Sequence, residues 1–187
     1  MGAEPFLRSG GGYRSLVVYK ITEIIYDMTF YFTSHYLRKS DRTVDQMVQA
    51  ARSGKQNIAE GSEASTTSAE TEIKLTNVAK ASLEELFIDY EDYLRVRGLN
   101  LWDAKHPRYL QLRQYCRSRK FMEEYTLLLP RLNDEEICNL CITLIYQAKS
   151  MLTKLIEKQQ IMFLENGGVR EQMTRARLDY RDKKKEK

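Results

Sequence analysis

Apolar residues recur along this chain at alternating steps of four and three. Val17, Ile21, Ile24, Met28, Tyr31 and His35 keep that spacing, which turns one side of a helix toward a partner, and Val18, Ile25 and Phe32 widen the stripe. The pattern predicts a first helix over about 13–37. A second begins near Thr43, where Thr43 and Gln46 have capping-box spacing. Its interior is rich in small residues: Ala50, Gly54 and Gly61 share a face with Ile58. An interior glycine costs about 1 kcal/mol of helix propensity relative to alanine. The close approach of a neighbouring backbone is therefore expected there.

A polar loop is expected over 63–68, followed by a third helix with Thr67 and Glu70 as its capping box. Leu75, Ala79, Leu83, Leu86, Tyr90 and Leu94 form its buried stripe, and Gly98 sits where left-handed geometry ends a helix. A fourth long helix starts from Asn133 and Glu136, with Leu132 and Ile137 at the staple positions. Ile137, Cys141, Leu144, Ala148, Met151 and Leu155 give its stripe, and Gly167 and Gly168 stop it. The segment 99–130 is too long for a hairpin between bundle helices, which takes about 2–8 residues. It is expected to be a helical arm, with Pro107 in a first turn and Tyr109, Leu112 and Cys116 facing inward. Arg113, Arg117 and Lys120 would share its outer face. The tail places Val169, Met173, Ala176 and Tyr180 on one face before fraying over 182–187. No strand pattern and no repeat is visible.

The expected fold is all-α: an antiparallel, up-and-down four-helix bundle with an inserted helical arm between the third and fourth long helices and a short C-terminal helical tail. The corresponding organisation is a flexible N-terminus over 1–12, a bundle over 13–168 with its insertion at about 99–132, and a basic tail over 169–187.

Two segments are more specific than this pattern. A small-residue helix ends in Ile58, Ala59, Glu60 and Gly61. After a polar loop come Ala79, Lys80, Ser82, Leu83, Glu85 and Leu86 in the arrangement AKxSLxEL. With the first helix "YRSLVVYKITEIIYDMT", this order resembles the four-helix bundle proteins related to the 23S rRNA intervening-sequence protein. The resemblance covers 13–99 and extends to the fourth helix. The arm and the tail depart from the shorter members and resemble a longer subgroup, and Ala81 stands where many relatives have glycine. The resemblance implies structural roles for Gly54, Ile58, Ala59, Glu60, Gly61, Ser82, Leu83, Glu85 and Leu86. It also implies a homo-oligomer, a five-membered ring of bundles. A further implied relationship is to the accessory protein of diversity-generating retroelements, which binds a reverse transcriptase and nucleic acid through a basic surface.

Composition narrows the chemistry. The 187 residues carry a net charge of +4, but the segment 105–120 alone holds +6 and 169–187 another +4, so the rest of the chain is acidic at −6. Concentrated positive charge suits phosphate contacts. No apolar run reaches the ~20 residues needed to cross a bilayer. The first twelve residues are polar and glycine-rich, unlike a signal peptide, and Phe6 stands where a myristoylation signal wants Ser or Thr. Three cysteines are too few for a disulfide framework and agree with a reducing, cytoplasmic setting.

Cys138 and Cys141 lie one turn apart within a helix, with only Cys116, His106 and His35 able to complete a zinc site, and read as small core residues. Glu60 lacks a second polar group to work with and reads as a partner of Arg52 or Lys55, or of a backbone group at the turn. The twelve tyrosines read as core or interface rings rather than base-stacking platforms. No nucleophile–base set, metal or cofactor is expected.

These features lead to an expected function: a non-enzymatic oligomeric adaptor that binds RNA or DNA without sequence preference, together with a protein partner such as a reverse transcriptase. Arg113, Arg117, Lys120, Arg170, Arg175, Arg177 and Arg181 are the candidate phosphate contacts. The alternative is a purely structural or protein-binding scaffold whose arm and tail dock on neighbouring subunits.

Overall fold

The computed structural model describes residues 12–185, so the expected N-terminal segment lies almost wholly outside the described residues, as do the last two residues of the tail. The described residues are all-helical, with no strand. Seven α-helices follow a short 3-10 turn at Tyr13–Ser15: α1 (Val17–Tyr36), α2 (Arg42–Ala64), α3 (Ala69–Arg97), α4 (Tyr109–Tyr115), α5 (Arg119–Leu128), α6 (Asp134–Asn166) and α7 (Val169–Lys185).

The four long helices form a bundle-like body. α1 packs on α2 and α6, and α3 packs on α2 and α6, so each has two long neighbours. Its centre is buried and aromatic. Phe32 is fully buried, with its ring centroid 5.2 Å from that of Tyr90 and 4.7 Å from that of Tyr93. The Tyr90 hydroxyl, buried with its ring, donates to Thr29 Oγ1 at 3.0 Å, and Thr29 Oγ1 in turn donates to the Ile25 carbonyl at 2.7 Å. A buried hydroxyl left without a partner would cost about 1–3 kcal/mol, so this relay lets a tyrosine occupy the core.

The α1 stripe holds through its middle, where Ile21, Ile24 and Met28 are buried with the widening residues Val18, Ile25 and Phe32, but its ends turn outward: Val17 is 57% exposed and His35 is exposed. His35 instead stacks on Tyr31 at the surface, with centroids 3.9 Å apart. The α6 stripe likewise drifts, because 3.6 residues per turn does not hold a seven-residue repeat over nine turns. Leu152, Ile156 and Gln159 are buried in its second half, and Met151 is exposed.

Helix starts follow the best available cap. The α6 capping box forms as expected: the Glu136 amide donates to Asn133 Oδ1 at 2.8 Å, and the Asn133 amide donates to Glu136 Oε2 at 3.1 Å. The other two expected boxes do not form. Asp41 caps α2 by accepting from the Thr43 amide at 2.9 Å, and Ser68 caps α3 by accepting from the Thr71 amide at 3.1 Å. α2 takes a stronger cap two residues upstream of Thr43, whereas α3 starts one residue later than expected, with Ser68 rather than Thr67 as its cap. α2 also runs on to Ala64, beyond the expected loop start. Gly98 ends α3 at φ 67°, as its position predicts.

The glycines of α2 meet the close neighbours that their cost required. A Cβ on Gly54 would lie 2.9 Å from Leu83 Cδ2, and one on Gly61 would lie 3.3 Å from Leu75 Cβ and 3.4 Å from the Glu72 carbonyl oxygen. Together with the Ser53–Ser82 hydroxyl pair at 2.9 Å, these small residues draw α2 and α3 into the tightest seam of the body.

The arm lies on the bundle. Cys116, Phe121 and Leu129 are buried, while Tyr109 and Leu112 are half-buried. Trp102 is clamped to α6: its backbone amide donates to Asn139 Oδ1 at 2.7 Å and its indole Nε1 donates to Glu135 Oε1 at 2.9 Å. The Tyr125 hydroxyl donates to Asp27 Oδ2 at 2.5 Å and so ties α5 to α1. Pro107 lies in a turn ahead of α4, not in its first helical turn. No helix among the described residues is long and apolar enough to cross a membrane.

Candidate nucleic-acid interface

The basic residues fall into two groups, one on the arm and one on the tail. Arg113 sits on α4, where its guanidinium donates to the Tyr109 hydroxyl at 3.2 Å and lies 5.3 Å from that ring's centroid. It is half-buried and held in place. Arg117 and Lys120 are exposed, but Arg113, Arg117 and Lys120 do not share the single helix face expected for them. Ser118 breaks the arm by accepting from the Phe121 amide at 3.1 Å, which starts α5 afresh. Arg117 lies in the break and Lys120 on the new helix. Two arm cations are already paired: Arg119 with Glu123 at 2.7 Å and Arg108 with Glu136 at 3.0 Å.

The tail carries the better-formed surface. α7 buries no side chain. Arg170, Arg177, Arg181 and Lys184 are all exposed and recur at i, i+7, i+11 and i+14, which places them along one side of the helix. Arg175 lies elsewhere, among Glu171, Asp179 and Asp182, so the expected tail set divides into a basic stripe and one cation on an acidic side. Among the described residues, Arg170, Arg177 and Arg181 make no ion pair, and Lys185 lies 3.8 Å from Asp182. The tail remains helical through Lys185, past the point at which fraying was expected. Gly167 sets the direction of the stripe with φ 70° and ψ −179°, a backbone region that a side chain makes strained.

The chain matches no family model, no curated protein and no solved structure. The residues for which the sequence led to structural roles occupy defined places in the fold. Gly54, Ile58, Gly61, Ser82, Leu83 and Leu86 are buried in or beside the α2–α3 seam, and Ala59 is half-buried. Glu85 is exposed on the rim of a groove described below. Glu60 is exposed, and neither Arg52 nor Lys55 pairs with it. Lys55 lies 4.5 Å over the Tyr26 ring instead.

Cys116, Cys138 and Cys141 are free and buried. Burial pushes the thiols of Cys116 and Cys141 up to about 12 and that of Cys138 higher still. At neutral pH they are protonated and act as small apolar groups. Among the described residues no group of three or more His, Cys, Asp and Glu is placed to hold a metal ion.

The periodicity that marks the α7 stripe was readable in advance from Arg170, Arg177 and Arg181. The separation of Arg113 from Lys120 was not, because it depends on Ser118 capping a new helix.

Proposed function

We propose that this protein is a non-enzymatic oligomeric adaptor that holds nucleic acid without sequence preference, mainly through the basic stripe of α7. The observation that carries the reading is the stripe itself: Arg170, Arg177 and Arg181, unpaired and exposed along one side of a helix that buries nothing. Such a row tracks a phosphate backbone and reads no base, so affinity follows charge and salt rather than sequence. Arg117 and Lys120 add charge from the arm. Arg113, held against Tyr109, and Arg175, on the acidic side of α7, contribute less.

The accompanying architectural reading is an antiparallel up-and-down bundle of α1, α2, α3 and α6, with α4 and α5 as the inserted arm. A homo-oligomer, a pentamer on the family resemblance, would present one stripe per subunit and convert weak contacts into useful affinity. A protein partner such as a reverse transcriptase fits the same resemblance, and the setting is cytoplasmic.

The test is the salt dependence of binding to mixed-sequence RNA and single-stranded DNA. Changing Arg170, Arg177 and Arg181 together to Gln should reduce the slope of log affinity against log salt by about two to three units and weaken binding at low salt by at least about tenfold. Arg113→Gln should leave the slope within about half a unit of its starting value. An unchanged slope in the triple variant rejects the assignment.

A further inference from the structure

Among the described residues no other helix covers α7 beyond its first turn. Met173 is 47% exposed and Tyr180 63% exposed, and they border the basic stripe, so one flank of α7 offers two apolar side chains edged by Arg177 and Arg181. A lone helix of this length is marginal in water, and an uncovered amphipathic one is completed by a surface that complements it.

That complement is present on the bundle. A groove of about 620 Å³ runs between the first half of α2 and the second half of α3, with Asp45, Glu85 and Asp89 on its walls and Gln49, Ala50 and Ser53 among its lining. Among the described residues none of the three carboxylates makes an ion pair. Desolvation first, then the charges of Asp92 and Glu85, raises the carboxyl of Asp89 above its ordinary value. The small lining residues, Ala50 and Ser53, leave room between the carboxylates for side chains as long as methionine or tyrosine.

Distance decides whose tail can enter. The start of α7 adjoins Ala69 and Glu72 at the far end of the body, where they line a common cleft with Gly167 and Val169. From Ala69 to Asp89 is about 30 Å of helix, and the whole of α7 is only about 25 Å long, at 1.5 Å per residue. Folded back on its own chain, α7 would end short of Asp89. A second copy is free of that tether.

We infer that the α7 helix of one copy docks in the α2–α3 groove of another. Arg177 and Arg181 meet Asp45, Glu85 and Asp89, and Met173 and Tyr180 pack over Ala50. The inference needs the exposed stripe but does not depend on nucleic-acid binding. If both hold, phosphates and the neighbour's groove compete for the same arginines.

The experiment is light scattering on a sizing column at low salt, with protein freed of nucleic acid. Two double variants are compared, both at exposed positions: Asp45→Lys with Glu85→Lys, and Arg177→Glu with Arg181→Glu. Each alone should lose self-association by at least tenfold in Kd while keeping its helical circular dichroism. Mixing the two should restore association, because each supplies what the other lacks. Groove reversal should leave RNA retention intact or increase it, so a failure of the nucleic-acid reading is seen separately. A monomeric wild-type protein, association that survives either reversal, or a mixture that stays dissociated overturns the docking.

Discussion

Consecutive helices separated by two glycines differ completely in what they bury. Every residue of α6 from Ile137 to Ile145 is buried, including Asn139 and Thr143, whereas α7 buries none. Both carry apolar residues at helical spacing. The difference lies in what covers them. The first half of α6 is flanked by α1 and α3, and the arm closes its remaining side through Trp102 and Cys116. An apolar stripe becomes part of a core only when another element completes it. α7 has the stripe without the cover.

The comparison is most easily broken at its extremes. Phe32→Ala empties the aromatic centre and should cost about 3–5 kcal/mol of stability in urea melts. Ending the chain after Gly168 should cost less than about 0.5 kcal/mol, because the removed helix contributes no fully buried side chain. A truncated protein destabilised as much as the Phe32 variant would make α7 part of the fold after all.

The α2–α3 seam offers a finer test. Gly54→Ala gains about 1 kcal/mol of helix propensity but drives a methyl into fully buried Leu83, an overpacking that costs about 1–3 kcal/mol. A net loss of about 1 kcal/mol is expected, and combining it with Leu83→Ala should give less than the sum of the two single effects. Asn133→Ala removes one half of the capping box that starts α6 and should cost about 1 kcal/mol by the same measurement.

The smallest expected effect concerns the arm. Hydrogen bonds from the Asn100 amide and the Trp102 indole hold the Glu135 carboxyl below its ordinary value. A carboxyl whose folded pKa is depressed stabilises the fold above its unfolded pKa, and that contribution is lost as pH falls through the folded pKa. Because Trp102 is the only tryptophan, its fluorescence should report loosening of the arm as pH falls below the ordinary glutamate range, a step absent from Glu135→Gln.

Long-range periodicity and the strongest caps made much of this fold legible. The α3 stripe through Leu83, Leu86, Tyr90 and Leu94, the left-handed Gly98 and the Asn133–Glu136 box are all where the sequence places them. Register was less legible, since Val17 and Val18 are chemically equivalent and only packing chooses between them. Competing caps hid the true starts of α2 and α3, because Asp41 outcompetes Thr43 after it and Ser68 outcompetes Thr67 before it. The basic surface was half visible. The α7 spacing could be counted, but the arm's break at Ser118 and the groove opposite Asp45 depend on how separate elements meet.

The three buried thiols give the protein an internal clock. Only a thiolate attacks an alkylating reagent, and these sulfurs are protonated and screened in the folded state. Each becomes available only when its surroundings open. Cys138 and Cys141 on α6 report opening of the central body, while Cys116 reports departure of the arm. The order in which the three are labelled therefore reads out whether the molecule comes apart as one unit or sheds its arm first.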